Sequence, residues 1–176
     1  YQDPTAELIN SMQNNQKNPE VLLSDILLVV NHATSNDKIK VIVLDLKGMN
    51  KAGLNKLKAI GSALEAFKSA GKKIIAVADY YSQNQYYLAS YADEINMNPM
   101  GGVFIDGYSY YSLYYKEALA KLKVSQHIFK VGKFKSAVEP YIREDMSDAA
   151  KEANSAWLNE LWSVYKTDIA LRRDVP

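Results

Sequence analysis

The sequence predicts an α/β domain: a parallel sheet of β-α-β repeats, with a long helix closing the chain. Three observations carry this expectation. Ile39 to Leu46 is an unbroken run rich in β-branched residues, the pattern of a buried parallel strand. From Leu54 onward, Leu57, Ile60, Leu64 and Phe67 fall on one helical stripe. A second apolar run, KKIIAVADY, follows the Ala70-Gly71 pair. Strand, helix, strand in that order implies a right-handed crossover and a parallel sheet covered by helices.

Each element has a local reason. Asn18 is a candidate N-cap and Pro19 a first helical residue, and Leu22, Leu23, Ile26, Val30 and Ala33 then recur at helical spacing. KGMNKAG supplies the loop after the first strand, and Gly71 suits the left-handed end of the second helix. QNQYYLASYA reads as a short helix, EINMN and GVFIDG as short strands around the Pro99-Met100-Gly101-Gly102 turn, and YYSLYYKEALAKLKV as a helix. SQHIFKVG alternates as one more strand. The final helix opens at Ser147 with Asp148 in its first turn; Ala150, Ala153, Trp157, Leu161, Val164 and Ile169 form its apolar face, and Arg172-Arg173 favour its C-terminal dipole.

Size and composition bound the function. The chain has 176 residues, and a domain of that length buries ~70% of its unfolded surface, so residues 1–176 are expected to form a single domain. Twenty-one basic against twenty acidic residues leave a net charge of +1, too little for a nucleic-acid footprint. No run approaches the ~18 apolar residues of a membrane span, so a soluble piece is expected. The opening YQDPTAELIN lacks the features of an export signal, so the chain reads as a cut-out of something longer. The absence of cysteine removes disulfides, thiolate metal sites and a thiol nucleophile.

The chemical inventory is thin. His32 and His127 are far apart in sequence and lack metal-ligand spacing to each other, so a structural role is the default and no metal is expected. No dinucleotide fingerprint, phosphate loop or nucleophile elbow occurs, so no cofactor is expected either. Asp45, Asp79, Asp93 and Glu94 sit near strand ends, where α/β sites gather, although acids there more often cap loops and helices. Many of the thirteen tyrosines are paired, at Tyr80-Tyr81, Tyr86-Tyr87, Tyr110-Tyr111 and Tyr114-Tyr115, a pattern suited to half-buried packing, subunit contacts or apolar grooves.

One stretch stands apart. FKVGKFKSAVEPYIREDMS, with YYLASYADEI and WLNELW, closely resembles the amino-terminal half of the signal peptide peptidase A (protease IV) family in its long, duplicated form. The resemblance runs from DILLVV through IKVIVLDLK, GSALEAFKSAGKKIIAV and SLYYKEALAKLKVS to the final helix. It implies the crotonase-like fold shared with Clp-type proteases and peptide hydrolysis by a Ser-Lys dyad, the amino-terminal half donating the lysine and the carboxy-terminal half the serine. The family's base lies in a G-x-x-K pattern followed by a small polar or acidic residue. Gly132-Lys133-Phe134-Lys135-Ser136 fits it and selects Lys135, not Lys133, as the catalytic residue.

The same resemblance marks a loss. The family's serine opens a helix in an Ala-Ser-Gly-Gly-Tyr context, and Gln83, Asn84 and Gln85 occupy the serine and glycine positions here. The family's Pro-Gly-Gly turn corresponds to Lys47 to Gly53, where only scattered glycines remain. The fragment alone is therefore expected to be inactive, with Ser82 and Ser136 as lesser alternatives for a nucleophile. The implied setting is a homotetramer held by an anchor to the bacterial inner membrane, facing the periplasm and degrading released signal peptides. A lysine can take a serine's proton only when neutral, and burial without a carboxylate partner favours that form. Phe134, Ala137 and Val138 flank Lys135, and Glu139 is the nearest acid. Two other readings compete: a structural half kept for oligomer packing, with Lys135 a surface contact, and an acyl-CoA hydratase or isomerase on the same fold.

Overall fold

The computed structural model describes residues 21–49, 51–129, 131–132 and 135–175. The candidate cap at Asn18 and Pro19, and the residues Lys133 and Phe134, lie outside them. The chain forms two compact units, Tyr1–Ile105 with Arg172–Pro176, and Asp106–Leu171.

The first unit is a mixed α/β assembly with parallel sheets. Its elements run α1 (Leu23–Ser35), β1 (Val41–Asp45), α2 (Leu54–Ser69), β2 (Lys73–Ala78), β3 (Tyr81–Ser82), α3 (Gln83–Ala89), β4 (Glu94–Met97) and β5 (Val103–Phe104). A three-stranded sheet has the order β1-β2-β4, and β3 pairs separately with β5. Every pairing is parallel. The predicted apolar stripe of α2 is buried throughout: Leu57, Ile60, Leu64 and Phe67 join Ile74, Ala76 and Ala78 of β2 in the core. Gly71 has φ +75, so the chain leaves α2 in the left-handed conformation the sequence predicts.

One expectation fails on β1. A strand buried on both faces is expected there, but burial alternates: Val41 and Val43 are 44% and 60% exposed. Ile42 and Leu44 lie in register with the buried Ile74 and Ala76, whereas Val41 and Val43 point to the opposite face, which the described residues leave open.

Two lysines tie α1 and β4 into this unit. The C-terminal carbonyls of α1 have no partners within the helix, and Lys72 Nζ donates to three acceptors there, Ala33 O at 2.5 Å, Thr34 O at 2.8 Å and Asn36 O at 2.8 Å. Asp93, just before β4, accepts Ile74 N–H at 2.8 Å and pairs with Lys68 at 3.0 Å. Burial pushes the Asp93 carboxyl up, but the Ile74 bond and the Lys68 ammonium outweigh it and hold the group below its ordinary value. A depressed carboxylate stabilises the fold above its unfolded pKa, about 3.9, and that contribution is lost as pH falls through the folded value. Asp93→Asn is therefore expected to lower stability at neutral pH and to flatten the acid limb of urea midpoint against pH. Superimposable acid limbs for the two proteins would contradict this.

The second unit contains α4 (Lys116–Lys121), α5 (Glu139–Ile142) and α6 (Asp148–Arg173), the last two residues of α6 belonging to the first unit. Tyr108, Trp162 and Tyr165 form its aromatic cluster, with Trp162 stacked on Tyr165 at 5.3 Å. Ala150 and Ile169 are buried as expected, but Trp157 is 46% exposed. Two expected elements are reduced or missing. The helix predicted over YYSLYYKEALAKLKV is limited to Lys116–Lys121, and the described residues of SQHIFKVG form no strand. Alternation makes a strand only where a neighbour accepts its hydrogen bonds, and Phe129 and Val131 are 97% and 90% exposed.

Candidate functional site

The lysine segment is built on a glycine. Gly132 has φ +107, a conformation costly for any residue with a Cβ, and its carbonyl accepts Lys135 N–H at 3.4 Å. Next comes a turn in which Glu139 N–H donates to Ser136 O at 2.9 Å. Lys135 is exposed, and its ammonium has no hydrogen bond or ion pair among the described residues. The apolar shelter expected from its neighbours is thus not formed by the described residues: Ala137 is exposed and Val138 half-buried.

Glu139, the nearest acid in sequence, turns elsewhere. Its side chain is 3% exposed, with Oε2 accepting Ser147 N–H at 3.0 Å and Oε1 accepting Ser147 Oγ–H at 2.6 Å. Ser147 Oγ in turn accepts Ala150 N–H at 3.2 Å, so the predicted helix start at Ser147 is a true N-cap.

In the first unit, Asn84 and Gln85, the residues that the resemblance aligns with the family's two glycines, are held by their own amides. Gln85 is 3% exposed; its Oε1 accepts Ser82 N–H at 2.7 Å, and its Nε2 donates to Leu46 O at 2.7 Å and Met49 O at 3.0 Å. Asn84 Nδ2 donates to Ala52 O at 3.1 Å. Side chains therefore hold the carbonyls of Leu46, Met49 and Ala52 in place. Ser82 Oγ is buried and closed to a substrate, whereas Ser136 is half-buried beside Lys135.

The remaining candidates have plain structural roles. Asp45 Oδ1 accepts Lys47 N–H at 3.2 Å, Asp79 pairs with Lys47 at 3.4 Å, and Glu94 pairs with Lys73. His32 and His127 are exposed. Among the described residues no cluster of ligand side chains could hold a metal ion, and no helix is long and apolar enough to cross a membrane. Sequence reasoning missed an open pocket of about 290 Å³ lined by Asp79, Tyr80, Asn98, Met100, Gly101, Gly102 and Phe104. It also missed the Glu139 to Ser147 contact; a Glu eight residues before a Ser at a helix start was the only available sign.

Comparison with known proteins bears on these geometries. Residues 66–176 match the family described as Peptidase family S49. The chain is 46% identical over 176 aligned residues to "Protease 4" of Haemophilus influenzae, covering 99% of this chain and 28% of that protein. It is 47% identical over 153 residues to "Protease 4" of Salmonella typhi, covering 87% of this chain and 25% of that protein. "Serine protease SPPA, chloroplastic" of Arabidopsis thaliana is 24% identical over 111 residues. The chain thus spans less than a third of the length of these relatives.

Proposed function

The chain belongs to peptidase family S49, and on that premise we propose that it is the lysine-donating half of a Ser-Lys dyad serine endopeptidase that degrades released signal peptides. Lys135 is the general base, and the nucleophilic serine comes from a carboxy-terminal half of the longer protein. One contrast carries the reading. Lys135 is presented on a glycine-built turn without a carboxylate partner among the described residues, while the serine and glycine positions hold Gln83, Asn84 and Gln85, the last two tied to the neighbouring loop. An exposed lysine is useless as a neutral base until something covers it, and the second half supplies that cover together with the serine. The proposed architecture is the crotonase-like fold, assembled as a homotetramer and anchored at the inner membrane with its site toward the periplasm.

Exposure of Lys135 also favours a second reading, in which this half is a scaffold and the lysine a surface contact. Reconstitution separates the two. This chain alone is expected to leave a fluorogenic signal-peptide substrate intact and, mixed with the carboxy-terminal half, to cleave it only while Lys135 is present. Full activity of the Lys135→Ala mixture would leave the scaffold reading standing.

A further inference from the structure

Glu139 is the only buried charged side chain among the described residues, and the dyad chemistry does not use it. Burying a carboxylate is costly unless its oxygens are satisfied. Here Ser147 contributes both its N–H, at 3.0 Å, and its hydroxyl, at 2.6 Å, at the start of a 26-residue helix whose N-terminal dipole favours a negative charge. The hydroxyl is itself fixed, accepting Ala150 N–H at 3.2 Å. On its backbone side, Glu139 donates to Ser136 O at 2.9 Å, and its own carbonyl accepts Arg143 N–H at 2.9 Å. The chain that follows Lys135 is therefore anchored at the buried Glu139.

We propose that Glu139 is a positioning residue for Lys135: it fastens the chain that follows the lysine to the N-terminus of α6, where Ser147 engages both of its carboxylate oxygens, and it makes no ion pair with the Lys135 ammonium. Both consequences serve a lysine base. The turn is held in one place, and the acid nearest in sequence is kept from pairing with the amine and stabilising its charged form. The proposal rests on the reading of Lys135 as the base.

The test is made in the full-length peptidase with Glu139→Gln, the double variant Glu139→Gln/Ser147→Asp, and Lys135→Ala, measuring kcat and KM separately along with the thermal midpoint. Gln keeps the shape but supplies one acceptor oxygen where two are used; kcat is expected to fall about tenfold with KM within about twofold, as for a displaced catalytic group. The double variant moves the carboxylate across the same contact, where Asp caps the helix and the Gln amide can donate to it. It is expected to return kcat to within about twofold of the parent. If Glu139→Gln does not fold, Ser147→Ala removes only the hydroxyl and is expected to lower kcat about threefold with KM unchanged. An undiminished kcat in whichever single variant folds overturns the proposal, as does a double variant that recovers the thermal midpoint but not kcat. Retained activity in Lys135→Ala is a separate failure, that of the base itself.

Discussion

Lys135→Ala in the reconstituted peptidase is expected to lower kcat by about 10³-fold or more while KM moves by less than about threefold, because general-base assistance is a transition-state contribution and not a binding one. The more telling substitution is Lys135→Arg. Arg keeps the positive charge and much of the length but stays protonated at any working pH, so it cannot accept the serine's proton. If Lys135 is the base, Arg is as inactive as Ala. If Lys135 merely attracts an acidic substrate or pairs with the other half, Arg retains most of the activity and Ala shows its loss mainly in KM. Mutations at Ser136 and Ser82 provide the counterpart: Ala at either position is expected to leave kcat within about twofold, since the proposed nucleophile lies in the other half.

Gln85→Ala is expected to destabilise this chain by about 2–4 kcal/mol, since one buried and two part-buried bonds lose their partner and an orphaned group costs about 1–3 kcal/mol. The groups are Ser82 N–H, Met49 O and Leu46 O, held by one amide with 3% exposure; Leu46 O keeps the Met49 N–H at 3.1 Å, so the first two are the ones orphaned. Against a typical total of about 5–15 kcal/mol, that loss is a substantial fraction of a domain's stability. Gln85→Glu sharpens the argument, because it keeps the volume and the acceptor for Ser82 N–H but turns a carboxylate oxygen toward two carbonyl oxygens. It is expected to be no more stable than Gln85→Ala at neutral pH and to recover part of the loss in mild acid. Urea unfolding of the three proteins is the measurement, and a change below about 1 kcal/mol for Gln85→Ala would show that water replaces the amide at little cost. The same bonds explain why a serine placed at Gln83 alone is not expected to create a second active site: the loop beside it remains fastened by Gln85 and Asn84.

How legible these features were in the sequence varied with the range of the forces behind them. The α2 stripe, the turn at Gly71 and the start of the last helix at Ser147 follow from side-chain period, glycine conformation and capping, which act over a few residues, and the parallel pairing of β1 with β2 follows from the strand-helix-strand order. The motif around Gly132 and Lys135 is equally local, and its positive φ agrees with the glycine. The misses share the opposite property. Whether β1 is covered on one face or both, whether SQHIFKVG finds a strand to pair with, and whether Trp157 is buried depend on distant parts of the chain.

Glu139 and Gln85 show the division most clearly. Their residue types and positions mark them as polar groups near a lysine motif and near the start of a short helix, and nothing local says more. Only the folded chain brings Ser147 to one and the Leu46 to Met49 carbonyls to the other. A buried polar side chain takes whichever partners the packing places within hydrogen-bond reach, so its role is decided when the fold closes around it. Local order and the glycine-lysine motif were written along the chain. The direction of its neighbouring acid and the closure of the amide-filled loop were decided in three dimensions.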